Sequence, residues 1–329
     1  MAYYAWIYYG YINLPNIKTE QENVELFVYP DVDLEELLNE MIDSGWMKDR
    51  ESFLWVAQKM SFDTENLKEG RYLIKNEMNN RQLIQLLRSG NQSAINLVVP
   101  EAPDLNTIAS RLGQQLMQDS ASISEYFNGT EFIDKFSMDA VTLKALIIPN
   151  TYQVWWTISP EDFVRRMQRE YESFWDKNER RNKAAALGLS LKEVIILASI
   201  VERESNYGPE RPSIAGVYLN RIKNNWPLQA DPTVVFAMGN PKVRRVLNRD
   251  LEIDSPYNTY KYPGLPPGPI CIPSINSIDA VLNADDHNYF FFCAAPNHSG
   301  THVFSRTLSQ HMQNARKFQS WLNQQRIMR

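Results

Sequence analysis

At 329 residues the chain is about twice the length of a typical ~150-residue domain, so it can bury a full core and most naturally forms two domains. Its 34 basic and 39 acidic residues include no dense Lys/Arg run with interleaved aromatics, which excludes a nucleic-acid surface. Two cysteines, Cys271 and Cys293, cannot frame a disulfide scaffold, and four histidines without zinc-ligand spacing point to no metal and no other cofactor. The two thiols are read as buried and free, with one bridge as the alternative in an oxidising compartment. The 8 Trp, 16 Tyr and 14 Phe suit sugar faces as well as cores, and core packing is the commoner use.

The first stretch, "MAYYAWIYYGYINLP", is apolar and aromatic but shorter than the ~20 residues of a spanning helix, and it lacks the positive start of a signal peptide. Tyr and Trp collect at membrane interfaces, so residues 1–21 are expected to be a juxtamembrane segment, the outer end of an anchor whose apolar part precedes Met1. An ordinary buried segment is the alternative.

Next, "ELFVYPDVDLEELL" and "INLVVPEAPDLNTIA" share one design: an apolar stretch stops at Pro30 or Pro100, and Asp33 or Asp104 caps a helix. Between them Gly70 turns into a strand at Tyr72–Ile74, and a helix runs from about Asn80 to Gly90. These βα units predict a binding or spacing module over residues 22–95, then a second unit and connector over 96–158. A purely supporting role for them is the plainer reading.

From Ser159 the chemistry is that of a helix start, with Pro160 at the first position, Asp162 in the first turn and an apolar stripe from Phe163 to Trp175. After Trp226 the texture changes, because nine of the 18 prolines lie between Pro227 and Pro273. So long a stretch of stiff backbone, rich in aromatic residues, is expected to be irregular and to wall a cleft. "YFFFCAA" and "THVFS" predict two buried strands, and a helix from about Ser309 to Leu322 closes the chain.

In "SLKEVIILASIVERES", Ser190 and Glu193 make a capping box that sets the phase of a helix. At about 100° per residue, Leu191, Ile195 and Ala198 lie within roughly 40° of Glu202, whereas Glu204 falls on the line of Glu193, across the helix. A carboxyl on an apolar face has its charged form disfavoured, so Glu202 is expected to carry a raised pKa and to serve as a general acid. The bland alternative is a structural carboxylate paired with an arginine such as Arg221.

The phrases "LASIVERES", "AGVYLNRI", "LQADPTVVFAMG", "YNTYKYPGLPPGPI", "YFFFCAA" and "HVFSRTLSQH", in this order, resemble the MltG (YceG-like) family of endolytic murein transglycosylases. The likeness is close from Leu197 to His311; "LKALIIPNTY" departs from the family's Leu-Glu-Gly-Tyr-Leu-Phe-Pro-Asp-Thr-Tyr at Lys144 and Ala145. The resemblance implies an α+β protein with an N-terminal LysM-like βα module and a mixed α/β catalytic domain over 159–329 that carries a long proline-rich loop region.

It also implies a single-pass enzyme of the cytoplasmic membrane, facing outward. Such an enzyme cleaves the β-1,4 bond between N-acetylmuramic acid and N-acetylglucosamine inside peptidoglycan strands and leaves 1,6-anhydro ends. Partners would be the glycan strands and the peptidoglycan synthases. Glu202 matches the family's catalytic position and would act as acid, then base, with the sugar's C6 hydroxyl as nucleophile. Asp231 reads as a turn cap before Pro232 or as a second carboxylate, with the turn favoured. Gln229, Tyr257, Asn258 and Tyr260 are candidates for sugar contacts or for stiffening the loop. Tyr257 is the one expected in the core and Asn258 the one expected in the cleft. His302 and His311 match the family's last motif without an evident role. A murein-binding scaffold and a hydrolytic muramidase, with Asp231 or Glu204 activating water, are the other readings.

Overall fold

In the computed structural model, residues 2–240, 243, 246–297 and 299–325 are described. Among them are fifteen α-helices and three two-stranded sheets, a mixed α/β architecture. The chain divides into two compact units, one of Met1–Leu97, Leu112–Asp119 and Thr151–Ser159, the other of Val98–Arg111, Ser120–Asn150 and Pro160–Arg329.

In the first unit, strand β1 (Asn23–Val28) pairs antiparallel with β2 (Gly70–Lys75), from Asn23 opposite Lys75 to Val28 opposite Gly70. Helices Leu34–Asp43 and Arg50–Lys59 lie between them in sequence, and Asn80–Ser89 follows. Each start is chemically signalled. Asp33 accepts from Glu36 N, Asp49 from Ser52 N, and Asn79 forms a capping box with Gln82. Gly90 closes the last helix at φ +67°, a conformation glycine adopts without strain. Leu26, Leu37, Phe53, Tyr72, Ile74 and Leu83 bury themselves together as one core. The helix Arg50–Lys59 had a readable cap in Asp49, but Leu54 and Trp55 beside buried Phe53 and Val56 blur its periodicity.

Residues Ala2–Asn13 form a helix that stacks Tyr8 on Trp55, centroids 4.5 Å apart, while Trp6 is 70 % and Tyr9 63 % exposed. Among the described residues no single helix is long and apolar enough to cross a membrane. Strands β3 (Ile95–Val99) and β4 (Asn150–Val154) pair with each other.

The second unit is organised around helix Leu191–Glu204, started by the expected Ser190/Glu193 capping box. From Val194 to Val201 every residue is buried, because helices Ala140–Leu146, Arg180–Ala186, Arg211–Lys223, Asp231–Ala237 and Ile275–Leu282 all pack on it. A helix covered on every side has no single apolar stripe. Gly216 lets helix Arg211–Lys223 press against the Asp285 carbonyl, since a Cβ there would stand 2.6 Å from that oxygen. Arg180 grips Asp279 through two hydrogen bonds of 2.7 and 2.9 Å and ties two of the surrounding helices together.

Two expectations change. The proline-rich stretch is not irregular throughout: Asp231–Ala237 is helical, with Pro232 supplying a preset φ, and Asn248–Glu252 is a 3-10 turn. Strands β5 (Phe291–Ala294) and β6 (His302–Ser305) do pair antiparallel, but the whole of β5 is half-buried rather than buried, because Phe291 packs on Trp226 and His311 while Phe292, on the opposite face, packs on Tyr218, so each face is partly covered. The chain's last described helix is Leu308–Gln324. Cys271 is buried and Cys293 half-buried, both as free thiols.

Candidate active site

The central helix delivers Glu202 and Glu204 to different surroundings, and their environments are the reverse of those expected. Glu202 Oε1 accepts from Arg211 Nη2 at 2.8 Å. Its Oε2 accepts from Ser274 N at 3.1 Å, Ser274 Oγ at 2.5 Å and Ser277 Oγ at 2.6 Å. Burial by itself would raise this carboxyl, but the serine hydrogen bonds and the Arg211 charge outweigh it and hold the pKa below its usual value. Ser274 is the N-cap of helix Ile275–Leu282, so the anion also sits at the positive end of that helix. Glu202 is therefore a locked carboxylate. Its arginine is Arg211, not Arg221, and the apolar residues in phase with it belong to its own helix, whereas its partners come from distant segments.

Glu204 occupies the setting expected of an acid. The hydroxyl of buried Tyr218 donates to Glu204 Oε1. Burial is the main cause that pushes its carboxyl up to about 7, and the negative charge of Asp231 adds to it, against the Tyr218 hydrogen bond and Arg221. The side chain stands where two cavities meet. One, of about 310 Å³, is lined by Tyr218, Arg221, Gln229, Tyr260, Phe291 and His311; the other, of about 680 Å³, by Pro103, Arg203, Pro232, Val235, Phe236 and Ile270. Glu204 and Asp231 line both.

Asp231 opens helix Asp231–Ala237 without capping it by its side chain; its carboxylate instead accepts from Tyr260 Oη at 2.6 Å. The turn-cap reading is corrected accordingly: Asp231 is already the first helical residue, Ala230 holds the cap position, and no side chain caps this helix. Gln229 lines the smaller cavity at φ +52°, a left-handed conformation in which a non-glycine residue is strained. The strain is held by Gln229 N donating to Thr259 O at 3.1 Å and Ala230 N to Thr259 Oγ1 at 3.0 Å, with Thr233 Oγ1 2.9 Å from that same hydroxyl. Arg221 braces the loop by donating to Leu228 O at 2.5 Å and Phe290 O at 2.8 Å.

Asn258 does not face the cleft. It is fully buried, donating to Leu251 O at 2.8 Å and Ile253 O at 2.9 Å and accepting from Tyr260 N at 3.0 Å, so its amide shapes the loop. The chain turns there, which defeats the alternation expected of an extended strand. Tyr257 packs beside the core on Phe236, centroids 4.6 Å apart; Phe236 lines the larger cavity, and Tyr257 itself lines neither. Tyr260 reaches the cleft.

His302 is tied to Glu210, its N donating to Oε1 at 2.8 Å and its Nδ1 3.0 Å from Oε2. Tyr218, Arg221 and His311 enter the site without having been read as site residues. Tyr218 and Arg221 are three apart in "AGVYLNRI" and so share a helix face, a signal that was available.

The sequence model of the YceG-like family matches residues 26–317. This chain belongs to the YceG-like family. The YceG-like chain is 34 % identical to an endolytic murein transglycosylase of Bacillus subtilis (strain 168), over 78 % of its own length and 74 % of the relative's. It is 24 % identical to an endolytic murein transglycosylase of Streptococcus pneumoniae serotype 2, spanning 89 % of its own length and 58 % of that protein's. A crystal structure of a yceG-like protein from Listeria monocytogenes is similar at a TM-score of 0.57 and 28 % identity, covering 89 % of this chain and 98 % of that one.

Proposed function

We propose that this YceG-like chain is an endolytic lytic transglycosylase that cuts the β-1,4 bond between N-acetylmuramic acid and N-acetylglucosamine within peptidoglycan strands, with Glu204 as its acid and base. The enzyme class rests on family membership and on the names of the curated relatives. One observation carries the residue assignment: Glu204, its pKa raised to about 7, stands at the junction of two cavities. A strand lying through both would present a bond, with sugars on either side, to a carboxyl that still holds its proton. Such passage through the site, rather than entry from a chain end, is what endolytic cutting requires.

Glu204 gives its proton to the glycosidic oxygen as the C1–O bond breaks, so the N-acetylglucosamine side departs as a neutral alcohol. The Tyr218 hydroxyl, already donating to Glu204, steadies the carboxylate so formed. Asp231 faces the positive charge developing on the muramic acid ring. The Glu204 carboxylate then takes the proton of the C6 hydroxyl while that oxygen bonds to C1. The 1,6-anhydro ring closes, the enzyme regains its proton, and no water is consumed. Glu202, anionic and engaged by four donor groups, has no proton to offer.

Asp231 on the same two cavities keeps a hydrolytic muramidase as the second reading, since a carboxylate there could activate water. Mass spectrometry of murein digests separates the two: fragments ending in anhydromuramic acid, one water lighter, support the transglycosylase, and reducing ends support the hydrolase. The paired β1 and β2 with two intervening helices support a LysM-like glycan-binding role for the first unit. Exposed Trp6 and Tyr9 support a membrane-interface role for helix Ala2–Asn13, with the catalytic unit outside the cytoplasmic membrane and within reach of the synthases.

A further inference from the structure

The smaller cavity contains two polar heads that the protein itself does not use. Most of its other polar groups are spoken for: Tyr218 on Glu204, Tyr260 on Asp231, and Arg221 on the carbonyls of Pro227, Leu228 and Phe290. Among the described residues, by contrast, neither the side-chain amide of Gln229 nor either ring nitrogen of His311 has a hydrogen-bond partner. Nδ1 of His311 is sealed from solvent, which leaves Nε2 to address the cavity. The ring is fixed by stacking on Phe291, centroids 5.4 Å apart and planes 24° from parallel, and Phe291 in turn lies 5.3 Å from the Arg221 guanidinium. Burial, with Arg221 nearby, pushes the imidazole's pKa down, so it meets a ligand as a neutral hydrogen-bonding group. Gln229 is kept in a left-handed backbone conformation, the kind of strain found at ligand clamps.

Size separates the two cavities. The polar one, at about 310 Å³, is less than half the 680 Å³ of its neighbour, which is walled by Pro103, Val235, Phe236 and Ile270. In murein the two alternating sugars differ in bulk, because only one of them carries a lactyl ether and its peptide. We propose, resting on the transglycosylase reading above, that the small cavity binds the unsubstituted N-acetylhexosamine on the leaving side of the bond, with His311 Nε2 and the Gln229 amide hydrogen-bonding it. The substituted sugar then lies in the larger cavity, where the lactyl and peptide groups meet apolar walls.

The test is the binding of peptide-free murein glycan strands, and separately of strands that retain their stem peptides, to the full chain carrying Glu204→Gln, by calorimetry. In that background His311→Phe preserves the stack on Phe291 and removes both nitrogens. Gln229→Gly removes the amide at a φ that glycine adopts freely. Each is expected to weaken both kinds of strand by the same factor, about tenfold, the consequence of one neutral hydrogen bond left unmade. His311→Gln, which restores a polar head, should recover part of the loss. Should His311→Phe lower the melting temperature, Gln229→Gly carries the test. Unchanged affinity in both variants overturns the proposal, and so does a loss confined to peptide-bearing strands, which would put the muramic residue here. Cutting by the parent chain is read separately: a chain that binds strands through His311 yet releases no fragments upholds the small cavity as the N-acetylhexosamine site and sinks the transglycosylase reading, and with it the leaving side.

Discussion

Glu202 and Glu204 stand two residues apart at the end of one helix, and their surroundings drive them to opposite protonation states. Around Glu202 two segments converge with donors: Arg211, and the start of helix Ile275–Leu282 with the Ser274 backbone and hydroxyl and the Ser277 hydroxyl. Around Glu204 there are one phenol, a neighbouring carboxylate and two cavities. The lesson is that desolvation alone does not make a general acid. Both carboxyls are pushed up by burial, and what decides is whether charge-stabilising donors outweigh it.

The comparison breaks most sharply at catalysis. Glu204→Gln keeps shape and volume but cannot pass a proton, so glycan release from murein, followed by chromatography, should fall by about 10²–10⁴-fold with little change in melting temperature. Comparable activity in this variant would return the role to Glu202 or to Asp231.

Glu202→Ala is expected to fail in the other direction. It strands the Arg211 guanidinium, whose side chain is 11 % exposed, so a loss of about 3–5 kcal/mol in denaturant unfolding is expected, with activity per folded molecule within about tenfold of the parent. Asn258→Ala should come next, at about 2–3 kcal/mol, because it leaves two carbonyls and one N–H of the loop without their partner. Cleavage lost at unchanged stability would show instead that Asn258 touches substrate.

The smallest effect sharpens the contrast through pH. Glu204 has a folded pKa of about 7 against an ordinary 4.5, so across that interval the native state binds the extra proton, and stability should fall as pH rises from about 4.5 through 7. Glu202, with a lowered folded pKa, contributes stability above the ordinary 4.5 that is lost as pH falls through its folded value. Thermal unfolding at stepped pH should show the first slope in the parent chain and lose it in Glu204→Gln. Activity should likewise decline as pH rises through about 7, as the acid form is depleted.

Much of the fold was legible because its signals are local. Asp33, Asn79 and Gly90 bound their helices where cap chemistry says they should, and Ser190 with Glu193 starts the helix that bears the site. Asp231, Gln229 and Tyr260 were likewise readable as site candidates from their motifs, and all three line the smaller cavity. Asn258 was misread because a period of two holds only along an extended strand, and its own side chain bonds the backbone into a turn. His311 could be noticed but not interpreted, since what gives it meaning is a cavity assembled from six separate segments.

The sequence by itself determined where the central helix begins, that it ends in two carboxylates pointing to opposite sides, and which family's phrases surround it. Only the tertiary structure decided which carboxylate keeps its proton. Helical phase is set by neighbours a few residues away, whereas a pKa is set by whatever charges and dipoles come within a few ångströms. For Glu202 those groups lie 9 to 75 residues along the chain, at Arg211 and Ser277. For Glu204 they are Tyr218 and Asp231, brought together only when the helices pack.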